Sequence, residues 1–299
     1  MYISYSGYKK YRDCPLAYWH QYIGNTKPPR LDNRVNSLYG SAVGKLFELF
    51  YNNVIWRRPK IRDVLVAMVP DVVDGLIAEE STKGVVNWQD PKANYGSREH
   101  LLSDVLKGVN QGLDIIKQHQ LIGPEAAAEV KLDSKVEGHL FGGRADFVIR
   151  RMAPHRDLII LDGKGSKHRG KYVDSTQLRW YALLHKLRKG VVPDRLGFMY
   201  WRQKPDRGID WIPFMESSLE DLRMEVLAAL AEIEGRQAVM AANVSRAAHT
   251  VFEPAPDVGH CKFCTYLDIC PSGQAEVPSA AVKLSGVGVE DISLDDILP

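Results

Sequence analysis

"DLIILDGK", residues 157–164, is the stretch on which the fold turns. Large apolar residues from Leu158 to Leu161 run directly into Asp162, Gly163 and Lys164. A run this short and this apolar, bounded by polar residues, reads as a strand buried on both faces in the middle of a sheet. Residues i and i+2 of a strand share a face, so Asp162 and Lys164 point the same way from its end. Upstream, "AAEVKLDSKV" (127–136) and "HLFGGRADFVIRRM" (139–152) read as two strands joined by a tight turn at Glu137-Gly138. Asp146 falls on the strand next to 157–164, with a hairpin-like connection between, so Asp146 and Asp162 are placed to meet across the pair.

Working outward, helical spacing precedes this region. Residues 38–56 carry Leu46, Phe47, Leu49, Phe50 and Val54; 60–80 carry Ile61, Val64, Leu65, Met68, Val72 and Leu76; and Leu101 to Ile116 repeat the pattern. "STKGVVNWQDPKANYGS" (81–97) is an irregular connection, and "NTKPPRLDNR" (25–34) a loop. After the strands come a helix over 174–189, strands at 196–203 and 208–215, and a long helix over 218–242. The order of helices, three strands, helix, strands and helix predicts an α/β core with an all-helical insertion. Residues 1–24 hold seven aromatic residues around Cys14 and read as a packed N-terminus. Residues 272–299, ending "GVEDISLDDILP", read as an acidic flexible end able to dock a protein partner or to occupy a basic groove.

The chain has 299 residues, 45% of them hydrophobic, enough for a buried core. No signal-peptide core opens it, and the longest clean apolar run is "VLVAMV" (64–69), far short of the roughly 20 residues a spanning helix needs. A cytoplasmic location is expected, without a membrane role. In that reducing setting, clustered cysteines read as metal ligands before disulfides. Net charge is only +2, yet residues 142–171 hold eight Lys/Arg against three acids. Lys167, Arg169 and Lys171 follow the central strand in a Gly-containing loop suited to a phosphate backbone, though an ordinary solvated loop has the same composition. Tyr172, Trp180 and Trp201 are candidates for base stacking, with core packing the plainer reading of each.

Two carboxylates and an ammonium in one place form a hard-cation site beside a charge stabiliser, and oxygen ligands suit Mg²⁺ or Mn²⁺. A lone D-x-K is usually an ordinary surface pair. Here it stands in an ordered set: Glu129, Gly143, Asp146, an apolar strand, Asp162, Lys164, then Gln177 and Tyr181 four apart on one helix face.

With "GRAD", "LDGK" and "QLRWY" in that order, the chain resembles the PD-(D/E)xK nuclease superfamily. The likeness is to its RecB-like branch, which includes the CRISPR-associated RecB-like exonucleases and the AddB nuclease domain. "SYSGYKKYRDCPLAYWHQY" is similar to that branch's N-terminal segment, and the resemblance spans roughly residues 4–271. It implies a restriction-endonuclease-like core, a mixed central sheet flanked by helices. It implies metal on Asp146 and Asp162 with the Gly163 carbonyl as a third ligand, Lys164 as the catalytic lysine, and Gln177 and Tyr181 steadying the site or the DNA. Glu129 is a further carboxylate. The branch has G-x3-H in its first helix, the histidine being a metal ligand; "GSAVGKLFE" puts Gly44 there, with Glu48 one turn on as a substitute. The implied activity is a metal-dependent DNA exonuclease acting in repair or recombination. The Gly44 departure keeps open a second reading, a weak or inactive DNA-end-binding subunit of a recombination, repair or CRISPR-adaptation complex. A third is a redox sensor.

The same resemblance speaks to "GHCKFCTYLDICPSG" (259–273), where Cys261, Cys264 and Cys270 are spaced C-x2-C-x5-C. In such members a distant N-terminal Cys-Pro, here Cys14-Pro15, completes a four-iron (4Fe-4S) cluster. Zinc and unliganded thiols are the alternatives. The expected organisation is then an iron–sulfur region of 1–24 with 250–273, a helical region over 38–125, a nuclease core over 126–249, and the acidic tail 274–299.

Overall fold

The computed structural model of the protein describes residues 1–29, 33–170, 174–243, 245–255, 261 and 264–272. The chain forms two compact units. One comprises Met1–Tyr8 and Leu31–Glu234; the other comprises Lys9–Arg30 and Gly235–Pro299.

The first unit opens with strand β1 (Tyr2–Ser4), whose end leads into helix α1 (Tyr5–Asp13). Past the short helix α2 (Pro15–Tyr18) of the other unit come three helices, α3 (Val35–Asn52), α4 (Ile61–Lys83) and α5 (Arg98–His119). These are the helical region expected from the 3.6-residue spacing. Ser97 caps α5, its hydroxyl accepting from the His100 N–H at 3.2 Å. Four strands follow, β2 (Ala127–Lys131), β3 (Ser134–Val136), β4 (His139–Gly142) and β5 (Arg144–Arg150). The central strand β6 (Leu158–Lys164), helix α6 (Thr176–Lys189), strands β7 (Arg195–Tyr200) and β8 (Ile209–Ile212), and helix α7 (Ser217–Ala242) complete the order.

The main sheet runs β2-β5-β6-β7-β8. Only β6 and β7 are parallel, and α6 makes the crossover between them. Leu158 through Asp162 are all buried, as a central strand requires. Gly163 has to be glycine: a Cβ there would lie 2.4 Å from the Trp201 ring. One face of the sheet, with Phe147, Ile149, Ile159, Leu161, Met199 and Trp201, packs with α3, α4 and α5 into a single core. Each of those large side chains contributes about 1.5–3 kcal/mol on burial. The architecture is a mixed sheet flanked by helices, as the sequence led us to expect.

The strands divide differently from expectation. The two long strands 127–136 and 139–152 each break in two. Their inner halves, β3 and β4, turn at Glu137-Gly138, both with positive φ (48° and 83°), the signature of a tight hairpin turn. That hairpin leaves the main sheet, and β4 pairs in parallel with β1 to make a separate sheet, β1-β4-β3. The crossing point is Gly143, whose carbonyl accepts from the Leu132 N–H at 2.9 Å. A Cβ at Gly143 would lie 2.9 Å from the Leu184 methyl and 3.2 Å from Trp180, so a larger residue here would push side chains of α6 aside. Trp180 donates to the Gly142 carbonyl at 3.2 Å and is fully buried; Trp201 is buried too, so both are core residues and neither is a stacking platform.

Candidate active site

Strand register builds the site. In β2 and β5, Ala128 faces Phe147 and Val130 faces Ala145, which sets Glu129 opposite Asp146. In β5 and β6, Phe147 faces Leu161, so the next pair is Asp146 with Asp162. Three carboxylates therefore stand in one row across three adjacent strands, on one face. The row continues through Phe198, beside Asp162, to Asp210 on β8. Like charges directly opposite one another weaken a sheet. Glu129 adds a further cost, since its backbone is left-handed with φ 54° in the middle of a strand.

Lys164 answers part of that charge. Its Nζ lies 2.6 Å from Asp162 Oδ2, an ion pair whose angle is poor for a hydrogen bond. The same Nζ donates to Gln177 Oε1 at 3.2 Å, and Gln177 Nε2 donates to the Tyr181 hydroxyl at 3.2 Å. Asp146 Oδ2 accepts from the Gly163 N–H at 2.8 Å, which fixes that carboxylate. Five residues read from the sequence, Asp146, Asp162, Lys164, Gln177 and Tyr181, thus form one connected set with Gly163.

Electrostatics shows what the set lacks. Burial, then the charge of Asp162, push the Asp146 carboxyl up to about 8. Burial also raises Asp162, against the pull of Lys164. Glu129 is raised by burial, with Glu48 contributing. Burial raises the Tyr181 phenol, and the three carboxylates add to it. Adjacent buried carboxylates with one ammonium between them hold more negative charge than they can keep ionised. A hard divalent cation on oxygen donors is the chemistry that fits, with Asp146, Asp162 and Glu129 as the donors at hand. Among the described residues, no three His, Cys, Asp or Glu side chains form a ready-made cage.

The remaining expected residues are placed less centrally. Glu48 is within electrostatic reach of Glu129, but Lys45 holds both its oxygens at 2.9 and 2.8 Å. Gly44, one turn earlier on α3, has open space where a Cβ would stand. Lys167 is exposed, and Arg169 is close-paired with Asp210 at the end of the carboxylate row. Lys171 and Tyr172 lie outside the described residues, as do His260 and the tail from 273. In the second unit Cys14, Cys261, Cys264 and Cys270 are all partly buried and outside any disulfide. Burial raises the Cys264 thiol, and the charges of Cys14 and Cys270 are near enough to add to the effect.

One residue was missed from sequence. Arg202 donates to the Gly165 carbonyl at 2.8 Å and to Asp104 Oδ2 at 2.6 Å, closely to the Tyr95 hydroxyl, and stacks 3.6 Å over the Tyr39 ring. It ties the chain directly after Lys164 to α3 and α5. Nothing local to "YWRQKP" signals that, because all four partners are remote in sequence.

A mixed sheet with this carboxylate row and lysine defines a nuclease class. Residues 2–271 match the family model of the PD-(D/E)XK nuclease superfamily, and the chain belongs to that superfamily. Among solved structures it is similar to a candidate exonuclease from Eubacterium rectale, with 14% identity over 99% of this chain and 92% of that one at a TM-score of 0.42. It is also similar to SSO0001 (17% identity, 90% and 95% covered, TM-score 0.30) and to VC1899 from Vibrio cholerae (11%, 68% and 49%, TM-score 0.23). No curated protein matches the chain in sequence. No helix among the described residues is long and apolar enough to cross a membrane.

Proposed function

We propose that the protein is a metal-dependent DNA exonuclease of the RecB-like branch, acting in DNA repair or recombination. The observation that carries this reading is the row of Glu129, Asp146 and Asp162 across three adjacent strands, buried at Asp162, with Lys164 ion-paired to that residue. Asp146 and Asp162 hold Mg²⁺ or Mn²⁺, with the Gly163 carbonyl and Glu129 as further donors and Glu48 at the margin. When bound, the metal polarises the scissile phosphate and lowers the pKa of the attacking water. Gly163 N–H keeps Asp146 in register. Gln177, braced by Tyr181, holds the Lys164 ammonium where negative charge grows on the phosphate in the transition state. Lys167, Arg169 and Lys171 contact the DNA backbone, Arg169 by exchanging Asp210 for phosphate.

The test is cleavage of end-labelled linear single- and double-stranded DNA with Mg²⁺ or Mn²⁺, using anaerobically purified protein beside Lys164→Ala. Metal-dependent degradation in the wild type, cut by at least about 100-fold in the variant, supports the reading. DNA bound but intact in both favours the second reading, a DNA-end-binding subunit, for which Gly44 in place of a histidine is the specific observation. We also propose that Cys14, Cys261, Cys264 and Cys270 hold a 4Fe-4S cluster, with zinc as the alternative; their partial burial and the nearness of Cys14 and Cys270 to the Cys264 thiol support it.

A further inference from the structure

Two residues along from the carboxylate row, the sheet carries the opposite anomaly. Lys131 on β2 and Arg144 on β5 are direct cross-strand partners. Two cations facing each other across an antiparallel pair repel. Sheet stability gives no reason to place them there. Lys131 has a partial answer in Asp133 at 2.9 Å, and Arg144 in Glu129 at 3.6 Å, but both cations are well exposed, and exposed pairs of this kind contribute little.

The pair opens onto a cavity of about 300 Å³. Its other walls are the Ser4, Tyr5 and Ser6 stretch, where β1 passes into α1, and the Tyr181 ring. The wall is rich in hydroxyls. Ser4 Oγ accepts from the Gly7 N–H at 3.2 Å, and Tyr181 accepts from Gln177, so each keeps its own proton to donate. Tyr5 is held in place by its hydrogen bond to Asp174 at 3.0 Å. Asp133 is the one carboxylate on the lining, against two cations. Tyr181 belongs both to this lining and, through Gln177, to the hydrogen-bonded chain that ends on Lys164. Arg144 shares a face with Asp146, about 7 Å further along the strand.

A cation row beside an anion row matches a phosphodiester chain whose cut phosphate sits on a metal and whose next phosphate needs cations of its own. We propose that this cavity is a subsite for the phosphate adjacent to the scissile one, held by Lys131 and Arg144 and by the hydroxyls of Ser4, Ser6 and Tyr181. The assignment rests on the nuclease reading for its location, and its chemistry is that of a phosphate group, either internal to the strand or at its end. Charge-assisted hydrogen bonds to phosphate are the strong kind, and the arginine fork suits two oxygens at once.

The test measures binding, so that it stands apart from cleavage. A fluorescein-labelled single-stranded oligonucleotide is titrated with the full chain in Ca²⁺ over a range of NaCl concentrations. The variants are Lys131→Ala with Arg144→Ala, and Lys131→Ala with Arg144→Lys. The double alanine variant is expected to raise Kd at least about tenfold, the equivalent of 1.4 kcal/mol. It is also expected to lower the slope of log K against log salt by about 1.4, the loss of two single-strand phosphate contacts. Lysine at 144 restores about half of the slope. Removing a terminal phosphate from the oligonucleotide, or walking one neutral methylphosphonate linkage along it, identifies the source. Whichever change weakens the wild type and leaves the double alanine variant indifferent names the phosphate bound. Kd and slope equal to wild type in the double alanine variant overturn the subsite, as does a wild type that binds no DNA. A wild type that never cleaves, with the slope difference intact, sinks the nuclease reading alone.

Discussion

Asp146 carries the sharpest consequence at the scale of single residues. Its carboxyl is pushed up to about 8 by burial and by Asp162. A carboxyl whose folded pKa is raised binds its proton more tightly in the folded state. In metal-free protein the contribution of Asp146 to stability is therefore fully present below the ordinary carboxylate range and is lost as pH rises from about 4 to about 8. Asp146→Asn removes that loss. At pH 8 without metal it is expected to be more stable than wild type by about 3 kcal/mol, taking half of the displacement at 1.4 kcal/mol per unit. Urea unfolding at pH 5 and pH 8 in EDTA checks it, and an unchanged difference between the two proteins would sink the idea. The same substitution abolishes cleavage if Asp146 holds the metal. Gly44 makes the complementary case: a Cβ there would meet no neighbour within 4 Å, which makes Gly44→His the natural substitution to test. It is expected to tighten Mn²⁺ binding about tenfold by calorimetry; unchanged affinity would mean α3 does not address the metal. Asp162 and Lys164 were legible because an apolar strand and its i, i+2 rule set them on one face, and Asp146 because it falls on the neighbouring strand of the pair. The left-handed backbone of Glu129 was not, because no residue type announces it.

Elements were legible where spacing is continuous and illegible where the chain changes partner. The three insertion helices and β6 follow their periodicities, whereas 127–136 and 139–152 look unbroken in sequence and split between two sheets at Gly143. The join between the helices and the end of β6 was illegible for another reason: Arg202 makes it through side chains remote in sequence. Burial alone would raise Asp104, but the Arg202 hydrogen bond and charge outweigh it and hold that carboxyl low. A depressed carboxyl stabilises the fold above its unfolded pKa, and the contribution is lost as pH falls below about 4. Arg202→Met is expected to cost about 2 kcal/mol at pH 7 and to show a smaller loss on acidification than wild type. Parallel acid and urea titrations decide this; identical acid sensitivity would show that Asp104 does not draw its stability from Arg202. Within α4, Gly75 meets no neighbour where a Cβ would stand. Gly75→Ala is expected to raise stability by about 0.5–1 kcal/mol without touching cleavage.

At the scale of the molecule, the second unit joins two stretches far apart in the chain, Lys9–Arg30 and Gly235–Pro299. Its described core is slight: Tyr11, Leu16, Ala17, Tyr18, Val251, Phe252 and Tyr266, with His20 stacked on Tyr266 at 5.0 Å and Arg236 donating to the Val251 carbonyl. A core of this size rarely holds two chain segments together without a staple. The four cysteines are the material for one. The Cys-Pro pattern and the C-x2-C-x5-C pattern fall one in each of these two stretches. The path between them was not legible, because each stretch lacks a periodicity long enough to fix its partner. A cluster on Cys14, Cys261, Cys264 and Cys270 closes a loop of about 250 residues, which in chain-entropy terms constrains the unfolded state by up to about 5 kcal/mol. Anaerobically purified protein is therefore expected to carry iron and acid-labile sulfide in equal amounts, and Cys14→Ser to lose both. The variant should also be cut by protease within the second unit at temperatures where wild type resists, because that unit has lost its cross-link while the sheet core of the other keeps its own. Zinc without sulfide would replace the cluster by a four-thiolate zinc site and leave the stability argument standing. Four titratable thiols on metal-free protein, with Cys14→Ser as protease-resistant as wild type, would remove the staple altogether and leave the aromatic contacts to hold the unit.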